Sequence, residues 1–97
     1  MKLTIQDKKL LINWGQRPDN IAQIERASKS DILELKLEDL ETGERRKIGQ
    51  REAIKILGRK TFLSGLSRAA FHRSCSRQSE DDKFSVSFYC GKLFKEE

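Results

Sequence analysis

Two short stretches of strict alternation constrain this chain more than anything else in it. In the first, Leu33, Leu35 and Leu37 are interleaved with Glu34, Lys36 and Glu38; in the second, Phe84, Val86 and Phe88 are interleaved with Ser85, Ser87 and Tyr89. A period of two belongs to an extended strand, whose successive side chains point to opposite faces, and it leaves each strand one apolar side to bury. The two stretches therefore share one side of a sheet, and helices must cover that side.

The helices announce themselves by their ends. Thr4-Ile5-Gln6-Asp7 has the spacing of a capping box, with the Thr4 hydroxyl facing the amide of Asp7 and the Asp7 carboxylate in the positive first turn. That helix runs to about Trp14, with Leu10, Leu11 and Trp14 on one side, and Gly15 stops it. Pro18 and Asp19 open a second helix with Ile21, Ile24 and Ser28 on one face and Ala27 beside them. Arg45 to Ile48 returns from the first strand through a turn that contains Gly43. Gly49 and Glu52 suggest a cap for a short helix bearing Ala53, Ile54 and Leu57, and Gly58 ends it. A longer helix over about Lys60 to Ser74 gathers Phe62, Leu63, Leu66, Ala69 and Ala70 on one arc, with Phe71 on the opposite side among Lys60, Ser64, Ser67 and Arg68. Arg77 leads into a polar, acidic loop, and Lys95-Glu96-Glu97 reads as an exposed end.

These elements predict an α+β fold: a small three-stranded, mostly antiparallel sheet with helices packed on one face, in the order ααββααβ. A chain of 97 residues fits a single domain, residues 1–97. Apolar and charged residues each make up 36% of it. The charge is mixed in sign and the apolar residues are periodic, which points to a folded domain and not to disorder. No apolar run is long enough to span a membrane, and Met1-Lys2-Leu3-Thr4 lacks the apolar core of a signal peptide, so the expected location is cytoplasmic, with Cys75 and Cys90 as reduced thiols.

The charge is concentrated. Between Gln50 and Arg77 there are seven basic residues and a single acid, Glu52, so this stretch carries more than the whole chain's net charge of +5. A short helix, a glycine and a basic helix succeed each other there as in the second half of a helix-turn-helix. On that reading the chain binds nucleic acid, DNA in the first instance, through the basic helix 60–74. Lys60, Ser64, Ser67, Arg68 and Phe71 face the ligand, Arg59 and Arg77 meet phosphates, and Arg45, Arg46 and Lys47 extend the patch. The competing reading uses the same charge differently, as a protein-protein interaction module such as a phage-type inhibitor docking on a host protein.

Other chemistries find little support. His72, Cys75 and Cys90 are zinc-binding residue types, but structural zinc wants four ligands in close pairs. Ser74, Cys75 and Ser76 beside His72 lack an orienting group and an oxyanion site, and neither a glycine-rich phosphate loop nor a G-x-S-x-G elbow occurs. The expectation is a domain that is not an enzyme and needs no metal or cofactor.

The segment Arg51 to His72, together with Asp7 to Gly15, Ile21-Ala22-Gln23-Ile24-Glu25 and Gly91-Lys92-Leu93-Phe94, resembles small uncharacterised proteins of Gram-positive gut bacteria and their phages or mobile elements. The resemblance spans most of the chain as a pattern. It implies a phage or mobile-element origin, where short domains regulate transcription or inhibit a host system, and it implies no activity or binding residue.

Overall fold

The structure, a computed structural model, describes residues 3–94. The terminal Lys95-Glu96-Glu97 lies outside the described residues, as do Met1 and Lys2. The elements follow one another as α1 (Ile5–Asn13), α2 (Pro18–Ala27), β1 (Glu34–Asp39), β2 (Arg45–Lys47), α3 (Gln50–Leu57), α4 (Arg59–His72), β3 (Ser74–Gln78), β4 (Phe84–Tyr89) and a closing 3-10 turn over Gly91–Phe94.

Local chemistry explains most boundaries. The Thr4 hydroxyl accepts from the Asp7 amide at 3.1 Å and the Asp7 carboxylate accepts from the Thr4 amide at 3.0 Å, completing the capping box of α1. Pro18 is the first residue of α2. Gly43 turns the β1–β2 hairpin with φ 79°. Gly49 is the N-cap of α3 as expected, but Glu52, expected to reach back to it, pairs instead with Arg46, whose guanidinium lies 2.5 Å away. Charge attraction across the β2–α3 corner outcompetes a local hydrogen bond that water can replace.

The sheet has four strands, in the order β2-β1-β4-β3, with every neighbouring pair antiparallel. This corrects the three-stranded expectation and extends the element order to ααββααββ. The added strand is β3, which the sequence divides between the end of a helix and a loop. Arg73 takes a left-handed φ of 71°, which stops α4 at His72 and sends the chain back along the sheet. Ser74-Cys75-Ser76-Arg77-Gln78 then pairs residue for residue with Tyr89 to Ser85. Such a polar stretch has no hydropathic alternation to reveal it. Its pairing partner β4 and the five-residue connection from Ser79 to Lys83 make it a strand.

Leu35, Leu37, Val86 and Phe88 face the same side of the sheet and are buried, with Leu33 buried just ahead of β1 and Phe84 half-buried at the margin. α3 and α4 pack on that side, and α2 packs against α4. The opposite side leaves Lys36, Lys47, Ser76, Ser87 and Tyr89 exposed. Seven of the 14 residues of α4 are buried: Phe62, Leu63, Gly65, Leu66, Ser67, Ala69 and Ala70. Gly65 permits this depth, since a Cβ at its position would sit 2.5 Å from Cε1 of Phe88. The Phe88 ring is itself held by Phe62, centroid to centroid 5.5 Å.

Two substitutions in α4 test this packing. Leu66→Ala should lower stability by about 2–5 kcal/mol, the usual result of emptying a filled core site. Gly65→Ala should also destabilise, by about 1–3 kcal/mol, although alanine is worth about 1 kcal/mol over glycine in an open helix. Denaturant melts of both variants give the answer; a stabilised Gly65→Ala would mean that α4 does not rest on Phe88.

Candidate functional site

The surface of α4 left outside the core is a narrow stripe. Lys60, Ser64, Ser67, Arg68 and Phe71 recur at three- and four-residue intervals and so lie one above another. Lys60 and Arg68 are exposed, Ser64 is half-buried and Ser67 is buried. Phe71, placed on the polar side by its sequence phase, is half-buried and leans on the core.

The stripe forms the floor of a cleft. One wall is the end of α1 and the turn after it, Trp14 and Gln16; the other is Arg77 of β3; Ser64, Ser67, Arg68, Phe71 and His72 of α4 complete the lining around about 270 Å³. This lining contains two arginines and a histidine and no carboxylate. Trp14, though on the same helix side as the buried Leu11, retains 38% of its surface. Sequence periodicity places it in the core. The helix ends at Asn13, and beyond that point the side chain is no longer bound to the buried face.

The cleft is pre-arranged by hydrogen bonds. Arg77 donates to Ser64 Oγ from Nε at 3.3 Å and Nη2 at 3.1 Å, and from Nη1 to Cys75 Sγ at 2.7 Å and to the Ser76 carbonyl at 2.9 Å. None of these acceptors is a carboxylate, and Arg77 makes no ion pair among the described residues. Gln16 Nε2 donates to Ser67 Oγ at 3.4 Å, and Asn20 Nδ2 donates to Gln16 Oε1 at 3.1 Å. Both serine hydroxyls thus accept from inside the protein and keep their own protons to donate. Arg68 makes no ion pair among the described residues. The net result is a set of donors and positive charge without a counter-charge among the described residues.

The other cations proposed from the sequence sit elsewhere. Arg59 is tied to the buried carboxylate of Asp7, with Nη2 at 2.5 Å from Oδ2 and Nε at 2.9 Å from Oδ1. The Arg59 hydrogen bonds, helped by the Thr4 amide, hold the Asp7 carboxyl below its ordinary range against the opposing effect of burial. Lys60 borders a second depression with Lys9, Asn13, Asp7 and Arg59, next along α1 and α4 from the cleft. Arg45, Arg46 and Lys47 form the far edge strand, separated from β3 by β1 and β4 and so about 14 Å away. There Arg46 is paired with Glu52, and Arg45 lies 3.8 Å from Glu38.

Sequence reasoning therefore names five cleft residues, Ser64, Ser67, Arg68, Phe71 and Arg77, and misses Trp14 and Gln16. It treats His72 only as a metal or catalytic candidate. The one sequence signal for Trp14 is its position at the end of a helix beside Gly15, where an amphipathic ring is free to stand half in water.

Among the described residues no group of three or more His, Cys, Asp or Glu side chains is arranged to hold a metal ion. Cys75 and Cys90 are both free thiols. Burial pushes the Cys90 thiol up to about 11. Among the described residues no helix is long and apolar enough to cross a membrane. Comparison of the chain with protein-family models, with curated proteins and with solved structures finds no match.

Two measurements follow from these environments. Because the folded Asp7 carboxyl titrates below its unfolded value near 4, its pairing stabilises fully above that value and the contribution is lost as pH falls through the folded pKa. Asp7→Asn should therefore cost about 1–3 kcal/mol at neutral pH, and the gap from wild type should close below about pH 4. A thiol reagent at mildly alkaline pH should modify Cys75 alone in the native protein and both cysteines after denaturation; rapid native labelling of Cys90 would contradict its burial.

Proposed function

We propose that this domain binds nucleic acid, and that the cleft between α1, α4 and β3 is where it does so. The observation that carries this reading is the pair Arg68 and Arg77, which make no ion pair among the described residues and are set among hydroxyl donors and two aromatic rings with no described carboxylate in the lining. Phosphate contacts supply the sequence-independent part of nucleic-acid affinity, and a guanidinium already fixed by neutral partners pays little ordering cost on binding. Arg59 and Arg46 fit this role less well, because each already has its carboxylate.

The helix-turn-helix analogy receives less support than the charge. α3 and α4 are joined through the single residue Gly58, at φ 86° and ψ 153°, where a helix-turn-helix uses a turn of about three or four residues. In the functional reading α4 acts as the floor of a cleft. Origin in a phage or mobile element, and a regulatory role there, remain proposals that rest on the sequence resemblance alone.

A second reading, as a protein-interaction module, is favoured by a different observation. Ile5 and Ile12, two turns apart on α1, are 73% and 57% exposed, with Lys8 and Lys9 between them. Exposed apolar residues in one row are a recurrent feature of helices that dock on a partner protein.

The two readings separate in one experiment. Fluorescence anisotropy of labelled oligonucleotides should show binding that weakens steeply with salt. The double substitution Lys60→Gln with Arg68→Gln should weaken it for every sequence and make the log–log salt slope shallower by about two units. Arg46→Gln should leave the slope unchanged. Absence of salt-sensitive binding by the wild type would transfer the weight to the protein-interaction reading.

A further inference from the structure

Resting on the nucleic-acid reading of the α1–α4–β3 cleft, we infer that its ligand is a single strand, RNA or DNA, whose unpaired base stacks on Trp14 while its phosphates lie on Arg68 and Arg77.

Three features select a single strand over a duplex. The first is relief. A helix that reads duplex DNA must stand out from its domain to enter a major groove about 12 Å wide, itself little wider than a helix with side chains. Half of α4 is in the core, and its remaining stripe lies between Trp14 and Gln16 on one side and Arg77 on the other. With half its residues in the core, α4 does not stand out from the domain in that way. A single strand follows such a recess because it is narrow and its bases turn freely.

The second is size. About 270 Å³ is near the lower bound of small-ligand sites, roughly 300 Å³, and suits one nucleotide. A neighbouring depression, lined by Lys9, Lys60 and Arg59 with the Arg59-paired Asp7, lies next along the same two helices. Lys60 and Arg68 are eight residues apart on α4, about 12 Å along its axis, so alternate phosphates of one strand find a cation each.

The third is the aromatic. Trp14 is 38% exposed inside a cationic lining, and Phe71 presents its uncovered edge to the same cleft. Exposed aromatics flanked by cations are the common platform for unstacked bases, and stacking tolerates any base because all have a π-face. The half-buried Ser64 and the Gln16 amide, itself held by the buried Ser67, stand where base or sugar oxygens would meet them.

Trp14 is the only tryptophan in the chain, so it reports its own contact. The experiment titrates the full chain at low salt with oligothymidylate and oligouridylate of about twelve nucleotides and with a duplex of the same length, following tryptophan emission and the anisotropy of the labelled strand. A single strand should quench Trp14 and bind at least about tenfold tighter than the duplex, and the two oligonucleotides tell whether deoxyribose or ribose is preferred. Trp14→Ala should weaken single-strand binding about tenfold or more, while Trp14→Phe should restore most of it, which separates stacking from loss of fold. Circular-dichroism melts verify that both variants are folded.

Equal affinity for duplex and single strand, or single-strand affinity unchanged in a folded Trp14→Ala protein, would overturn this inference and leave the broader nucleic-acid reading standing. Failure of every oligonucleotide to bind by anisotropy would remove both.

Discussion

The whole arrangement depends on how closely α4 approaches the sheet. Gly65 has no Cβ, so the helix backbone comes down onto the ring of Phe88, and Phe62 closes on the same ring from the preceding turn. This contact lets a fourteen-residue helix bury half its residues, packed on β3 and β4 and against α2 and α3. It leaves the polar stripe of α4 between Trp14 and Gln16 on one side and Arg77 on the other.

Charge is distributed by the same packing. In a chain with this much basic charge, the interior carboxylates decide which cations are spoken for. Asp7 serves two elements at once: it completes the cap of α1 and holds Arg59 at the start of α4, fixing the two helices whose far ends make the cleft. Glu52 does the corresponding work at the β2–α3 corner by holding Arg46. Arg77, on β3, is held by a hydroxyl, a thiol and a carbonyl. A positive charge immobilised by neutral partners keeps its field directed at the cleft, whereas one immobilised by a carboxylate largely cancels. The number of arginines is therefore a poor guide to the site, and their partners are a better one.

The connection between α3 and α4 shows how little chain such a corner needs. Gly58 ends one helix and begins the next, in a backbone region closed to side chains by steric conflict. Both helices then lie on the sheet with their apolar faces down. β3 owes its existence to a comparable device at the other end of α4, the left-handed Arg73, which turns the chain onto the edge of β4.

The amino-acid sequence by itself determined the alternating strands β1 and β4, the capping box of α1, the proline start of α2 and the apolar arc of α4. Each rests on interactions between residues a few positions apart, so local order contains it. Five cleft residues were legible for the same reason: Ser64, Ser67, Arg68 and Phe71 share a helical phase, and Arg77 belongs to the same basic run. What only the tertiary structure decided was the strand β3, whose four polar residues and Cys75 become a strand because β4 offers them a ladder, and the company of Trp14 and Gln16. It also decided which cations remain uncompensated, since Asp7 lies 52 residues from the arginine it holds. Contacts across such separations depend on where packing brings the elements, and that is set by burial of the core as a whole, which no local pattern records.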